Sequence, residues 1–268
     1  MNDLLTPILE YVSRGSAAAE AGWARTPGVR IDLHCHSRGS FDCLSAPKEM
    51  LRAASERGLT HLAITDHDRI DVALEARELA PAGLTVIIGE EVKTRDGDLI
   101  CLFLERAIPP GLSARETIGA ARAQGGLVGI PHPFDRMRGS ILRDASLASL
   151  APAVDWVETH NARLVGHGNE DAAAFAREHG LPGIAVSDAH SIMEIGVAYT
   201  ILDGDPSTPA GLLAALANAD IIPGRGSYLV RLWTPVAKGI NRIRGNGRVQ
   251  PTPGDPLDSV ASGSDRPS

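Results

Sequence analysis

Residues 31–42 read Ile-Asp-Leu-His-Cys-His-Ser-Arg-Gly-Ser-Phe-Asp, an apolar run that ends in two histidines one residue apart. On an extended strand, residues two apart point to the same side. His34 and His36 therefore share a face, with Cys35 turned away and Asp42 in the loop beyond. A lone histidine at a strand end is commonly a hydrogen-bonded structural group. Whether this pair is more than that depends on the partners the rest of the chain supplies.

Those partners recur at strand ends. Leu62–Asp68 reads Leu-Ala-Ile-Thr-Asp-His-Asp, closing on His67. The run from Leu84 to Gly89 closes on Glu90-Glu91, Gly126–Pro133 carries His132, and Gly183–His190 ends with Asp188 and His190, again two apart. Five predicted strands thus end in imidazoles or carboxylates at corresponding positions. Crowding these groups without a cation is costly, because carboxylates repel one another and burial disfavours their charged forms. Divalent ions remove the difficulty, since they require neutral imidazole and ionised carboxylate. The donors are nitrogen and oxygen with no thiolate, which suits Mn, Zn or Fe and disfavours a structural cysteine-rich zinc site. Nine plausible ligands exceed the needs of one ion, so two or three ions are expected. Such a cluster polarises a phosphoryl oxygen and activates water, which matches phosphoester hydrolysis.

The surrounding pattern says where these ends lie. Strands are predicted at 29–34, 61–65, 84–91, 98–104, 126–131, 154–159, 183–187, 196–202 and 220–222. Helices are predicted at 46–57 (a capped start at Ser45-Ala46-Pro47), 71–80, 113–124, 168–179 (ending on His179-Gly180) and 208–218. Strand–helix alternation implies parallel strands joined by crossover helices. The exception is 84–91 and 98–104, whose Asp96-Gly97 separator signals a hairpin. An irregular α/β barrel follows, and a barrel's functional face lies where strands run into loops.

Composition sets bounds on this picture. At 268 residues and 43% hydrophobic, the chain can bury a barrel-sized core, and with only 4% aromatics that core is mainly Ala, Val, Leu and Ile. A net charge of −7 argues against a whole-protein nucleic-acid binder. Three cysteines (Cys35, Cys43, Cys101) without close pairing predict a reducing setting. No apolar run is long enough to span a membrane, and the start lacks a signal-peptide pattern, so a cytoplasmic location is expected. Residues 1–28 read as an N-terminal extension, with a short amphipathic helix at 4–13, and 29–226 as the barrel. Residues 227–244 read as a basic helical segment and 245–268 as a disordered tail. Between 221 and 254 there are no acidic residues, against Arg225, Arg231, Lys238, Arg242, Arg244 and Arg248. Thr234-Pro235 opens a helix with Val236, Ile240 and Ile243 on one face. That face predicts packing across the barrel, with RNA phosphates or an acidic membrane surface as the alternative contact.

The motifs Asp-Leu-His-Cys-His-Ser…Asp at 32–42, Leu-Ala-Ile-Thr-Asp-His-Asp at 62–68, Gly-Ile-Pro-His-Pro-Phe at 129–134 and Val-Ser-Asp-Ala-His at 186–190 resemble, in order, those of the PHP (polymerase and histidinol phosphatase) family. The resemblance spans roughly residues 30 to 225. It implies a distorted (β/α)7 barrel with a trinuclear metal site on its C-terminal face. It implies His34, His36, Glu91 and Asp188 around one ion, and Asp42, His67 and His190 around a second. A third would take Glu91 as bridge, His132 and Asp98, where many members of the family carry His instead. The family's Gly-x-Glu spacing after Gly89 favours Glu91 over Glu90.

The groups expected to act on substrate are Glu91, Asp188 and His190, with Arg136 and Arg163 as phosphate-binding side chains and a lesser part for Arg138. His160 is either a substrate-side group or a structural histidine. His61 and His179 read as structural, and Asp66 and Asp68 as groups that orient loops or imidazoles. The substrate class implied is a nucleotide, a short oligonucleotide or a small phosphorylated metabolite, with no stable nucleic-acid complex. The alternatives are amide hydrolysis by the same activated water and a non-catalytic metal-binding regulatory module.

Overall fold

Short β-branched runs flanked by Gly and polar loops set the strands. The structure, a computed structural model, describes residues 28–135, 144–227 and 233–249. Nine strands and seven α-helices are found among the described residues. In chain order they are β1 (Val29–Asp32), α1 (Pro47–Glu56), β2 (His61–Ile64), α2 (Asp71–Glu78), β3 (Thr85–Lys93) and β4 (Asp98–Leu102). There follow α3 (Ala114–Arg122), β5 (Leu127–Ile130), α4 (Asp144–Leu150), β6 (Trp156–Asn161), α5 (Gly168–His179), β7 (Gly183–Val186), β8 (Tyr199–Leu202), α6 (Pro209–Leu216), β9 (Asp220–Ile222) and α7 (Trp233–Ile243).

The strands form one sheet in the order β7-β6-β5-β4-β3-β2-β1-β8-β9. Pairs β1–β2, β2–β3, β5–β6 and β6–β7 are parallel, whereas β4 runs against both β3 and β5, and β8 runs against both β1 and β9. The sheet curls into a distorted, nearly closed α/β barrel. Its seam lies between β7 and β8, where Thr200 replaces ladder bonds. The Thr200 hydroxyl accepts from Ala185 N (2.8 Å) and donates to Ala185 O (3.0 Å).

Alternation along the strands divides the core into two layers. Ile31, Ala63, Ile87, Ile100, Leu127, Trp156, Ile184 and Leu202 pack inside the barrel with Leu212 and Leu216 of α6. The intervening residues, such as Leu62, Ile64, Val86, Ile88, Val128 and Val157, pack outward against Met50, Ala73, Ile118 and Phe175 of the helices. Gly129 is required by close approach, because a Cβ there would lie 2.1 Å from the Trp156 indole.

Three local expectations change. Helix α1 starts with Pro47 in its first turn, but its N-cap is Ala46 and no side chain caps it. Among the described residues a full capping box opens α3, between Ser113 and Glu116. Of the face expected on α7, Ile240 is half-buried but Val236 and Ile243 are 45% and 88% exposed; among the α7 residues whose burial is described, the covered ones are Ala237 and Asn241. A polar anchor sets that rotation: the Asn241 amide donates to Ser40 O (3.1 Å) and Cys43 O (2.9 Å) in the loop after β1. Residues 245–249, assigned from composition to a disordered tail, also lie against the barrel, with Asn246 Nδ2 donating to Arg38 O (3.0 Å). The predicted helix at 4–13 and residues 250–268 lie outside the described residues.

The seam makes a test of closure possible. Thr200→Val keeps the side-chain shape but strands both buried backbone groups of Ala185, and it should cost about 1–3 kcal/mol in urea unfolding, with no change in native secondary structure.

Candidate metal centre

The strand ends point their side chains into one mouth. Inward alternation carries Ile87 and Gly89 on to Glu91, Trp156 on to Glu158, and Ile184 and Val186 on to Asp188. Beyond the strands the backbone turns sharply. His132 (φ 27°), Asp188 (φ 51°) and Asp68 (φ 58°) adopt left-handed conformations, which non-glycine residues occupy at an energetic cost. Isolated bridges, Cys35 with Ala189 and His67 with Glu91, tie these ends together past the regular ladder.

Glu91 lies at the middle of the cluster. Its Oε2 is 3.1 Å from His67 Nδ1, 3.3 Å from His36 Nε2 and 3.5 Å from His34 Nε2, and its Oε1 is 3.2 Å from His132 Nε2. Asp188 Oδ1 lies 3.4 Å from His36 Nε2 and 3.6 Å from His34 Nε2. Asp42 reaches His67 Nε2 (3.6 Å) through Oδ1 and His190 Nε2 (3.5 Å) through Oδ2. Phe41 stacks on His67 with ring centroids 4.9 Å apart. Glu90 faces away: it accepts from Ile108 N (2.8 Å), and burial pushes its pKa up to about 8.

Three imidazoles are oriented by their other nitrogen. His34 Nδ1–H donates to Glu158 Oε1 (2.6 Å), a carboxylate held in turn by His132 N and Asn161 Nδ2. His36 Nδ1–H donates to Ser40 Oγ (2.9 Å), whose proton goes to Asp66 Oδ1 (2.7 Å). His190 Nδ1–H donates to the Asp188 carbonyl (2.9 Å). Each ring thus turns Nε2 to the centre, the arrangement that suits a metal ligand. Asp66 also accepts from Ser37 N (2.7 Å) and Ser40 N (3.1 Å), which fixes the loop carrying Asp42.

The residues fit divalent ions. Three groups have ligand atoms within 4.8 Å of one another: His36/Asp42/His67/His190, His34/Glu91/His132 and His34/His36/Asp188. The Nε2 atoms of His34 and His36 face each other at 3.0 Å, and two lone pairs there repel unless a proton or a cation intervenes. Asp42 Oδ1, His67 Nδ1 and His132 Nδ1 are buried and make no hydrogen bond. Burial opposes charge on Glu91, but the charge of His67 and hydrogen bonds from His132 and His34 hold its carboxyl well below the usual range. Burial likewise opposes charge on His36, yet hydrogen bonding to Asp188 and Glu91 carries its pKa up to about 9. His190 goes the other way, down to about 3, through burial and the nearby Arg163 charge.

The remaining expected residues divide. Asp98 joins none of the three groups; its Oδ1 lies 3.5 Å from Arg248 Nη2. Arg163 pairs with Glu194 (2.8 Å) and donates to Thr234 Oγ1 (3.0 Å), so its guanidinium is committed to the α7 anchor. Arg136 and Arg138 lie outside the described residues. His160 is held by the Gly224 carbonyl (2.8 Å), and His61 by Thr60 and Ser207. Sequence reading missed Glu158, Glu194 and Arg248 as parts of the site. Alternation back from His160 would have put Glu158 on the functional face; nothing local signals the other two.

An α/β barrel whose strand ends converge on an imidazole–carboxylate cluster has the layout of a centre that could hold metal ions. The model of the PHP domain matches residues 32–148, and that of the PHP-associated family matches 166–221. The protein MJ0417 of Methanocaldococcus jannaschii is 33% identical over 175 residues, which is 64% of this chain and 69% of that protein. MJ1587 of the same organism is 38% identical over 117 residues, covering 40% of this chain and 68% of that one. The chain belongs to the PHP-domain family. Among solved structures, a two-domain protein from Bacteroides vulgatus containing a predicted PHP-like metal-dependent phosphoesterase superposes with a TM-score of 0.63 at 20% identity. The superposition covers 74% of this chain and 65%, just under two thirds, of that one.

A proton on His36 must leave before an ion can bind. Mn²⁺ titrated into metal-free protein at pH 7.5 should therefore release protons, seen by calorimetry in buffers of different ionisation enthalpy. The apparent affinity should rise as pH rises through about 9, as His36 gives up its proton. The sign for the metal-free fold is opposite: the stabilisation from protonated His36 is complete below 6.5 and is lost as pH rises through about 9.

Proposed function

We propose that this protein is a metal-dependent phosphoesterase that hydrolyses a phosphate ester of a nucleotide, a short oligonucleotide or a small phosphorylated metabolite. The observation that carries this reading is the set of three imidazoles whose Nδ1–H groups are fixed by Glu158, Ser40 and the Asp188 carbonyl, leaving three Nε2 atoms aimed at a carboxylate-lined centre. His36, Asp42, His67 and His190 would hold one divalent ion, and His34, Glu91 and His132 another, with Asp188 beside both. Bound there, Mn, Zn or Fe ions supply Lewis acidity toward a phosphoryl oxygen and make water nucleophilic at neutral pH.

The chain's own groups do the rest. Glu91 sets the spacing between the two ligand sets, because its two oxygens reach different imidazoles. Glu158 keeps His34 in one tautomer and ring orientation. Lys238, half exposed and 3.9 Å from Asp42 Oδ2, adds positive potential at the mouth for an anionic substrate. Arg163 acts through Glu194, whose Oε2 accepts from His190 N (3.1 Å), and is a positioning residue. Arg136 keeps its sequence-based role as a phosphate ligand. No helix among the described residues is long and apolar enough to cross a membrane.

Phosphate release with Mn²⁺ from histidinol phosphate, nucleoside 3′,5′-bisphosphates and short RNA should identify one active member. Asp188→Ala should lower its turnover by roughly 10²–10³-fold or more while the melting temperature holds. Hydrolysis of amides in place of every phosphate ester would overturn the reading. Glu158→Gln, which leaves the ligands in place, should weaken Mn²⁺ binding by roughly 10–100-fold in an equilibrium titration.

A further inference from the structure

The sequence-derived ligand set contains one residue that the structure sends elsewhere. Asp98, the first residue of β4, is buried opposite Lys93 of β3 in the hairpin. Its carboxylate meets Arg248, whose Nε lies 2.8 Å from Asp68 Oδ2 and whose Nη2 lies 3.5 Å from Asp98 Oδ1. Asp68 is itself fixed, accepting from Lys93 N at 2.7 Å. One guanidinium thus serves two buried carboxylates on the β3–β4 edge of the centre, and its Cζ lies 5.7 Å from the Phe41 ring.

Arg248 arrives there by a built route. Helix α7 is clamped by Asn241 on Ser40 O and Cys43 O and by Thr234 under Arg163. The turn beyond it is clamped by Asn246, whose Nδ2 donates to Arg38 O and whose Oδ1 accepts from Arg69 Nη1 (3.1 Å). The guanidinium is therefore delivered to a defined place.

Donor bookkeeping points the same way. His34 and His36 each have one ring nitrogen engaged, by Glu158 and Ser40, so each can serve one ion through Nε2. The group His34/His36/Asp188 cannot then be filled as an ion site of its own alongside the other two groups. The cluster supplies donors for two ions. A further ion would have to draw on Asp98 or Asp68, where a cation already stands, and two like charges a few ångströms apart in a buried site repel strongly.

We infer that Arg248 is a built-in cation of the metal centre, occupying the Asp68–Asp98 edge in place of a third divalent ion, so that the centre holds two. This rests on the metal-dependent reading above and adds a residue that limits metal content. Arg248 is a positioning residue: it neutralises Asp98 and Asp68 and leaves Glu91 and His132 to the two ions.

The test is metal content, not activity. Full-length protein is saturated with Mn²⁺, desalted, and its metal per chain measured by inductively coupled plasma mass spectrometry. The expected count is two for the unaltered protein and for Arg248→Lys, rising toward three for Arg248→Ala, which removes the guanidinium from both carboxylates. Asp98→Asn should leave the count at two, and it decides the matter if Arg248→Ala does not fold. Three ions in the unaltered protein, a count of two in folded Arg248→Ala, or a fall below two in Asp98→Asn would each overturn the inference. A chain that binds no Mn²⁺ at all would instead overturn the metal-dependent reading on which it rests.

Discussion

Buried charge at the barrel mouth is the constraint on which the rest of this structure depends. Asp42, Asp68, Glu91, Asp98, Glu158 and Asp188 are all buried at or beside the mouth, together with five histidines. Carboxylates removed from water in such numbers either take up protons or acquire cations. The chain provides both kinds of compensation. Imidazolium character is forced on His36, and guanidinium groups stand at Asp68, Asp98 and Glu194. At the ring around Glu91, Asp188 and Asp42, where the imidazole Nε2 atoms converge, His36 and the half-exposed Lys238, 3.9 Å from Asp42 Oδ2, are the nearby cationic groups.

This constraint also explains the supporting shell. An imidazole is useful as a ligand only in the correct tautomer, and each of three is fixed by a partner from a different element. Glu158 comes from β6, Ser40 from the loop after β1, and the Asp188 carbonyl from the end of β7. Asp66 stands behind Ser40 and also accepts two backbone N–H groups from that loop. Loss of such a partner would free the ring to rotate or change tautomer while leaving every ligand present, so the site's precision is spread over more residues than its ligands.

How much of this could be read in advance follows the range of the interactions. Strand existence and the pairs His34/His36 and Asp188/His190 were legible because a period of two is a local property, and all nine predicted strands are found. The choice of Glu91 over Glu90 came from the family's spacing; its physical basis is alternation in β3, which turns Glu90 toward Ile108 N. Glu158 was hidden by its neighbours, since Val-Glu-Thr-His-Asn offers two polar groups on one face and the more familiar ligand, His160, drew the attention. A register shift between Glu158 and His160 then separates their fates. Arg248 and Glu194 were illegible because their partners lie 180 and 31 residues away, and no local pattern encodes such a meeting. The face of α7 was misread for a related reason: apolar spacing favoured Val236 and Ile243, whereas two hydrogen bonds from Asn241 set the rotation.

The C-terminal segment therefore changes meaning. By composition it is a basic, Gly-rich stretch whose simplest readings are a solvated helix and a loose tail. In the structure it spans from Thr234, held by Arg163, to Arg248, held by Asp68 and Asp98, and it crosses the loop that bears Asp42. Among the α7 residues whose burial is described, Ala237 is fully covered and Ile240 half-buried, and polar contacts from Asn241 join them in docking the helix. Complementary charge and directed hydrogen bonds from Asn246 extend that docking to Arg248. Because those bonds end on the loop after β1, the order of the segment and the order of the centre are linked. Whatever loosens the Asp66-anchored loop also loosens the seat of Arg248, and with it the cation that Asp68 and Asp98 share at the edge of the site.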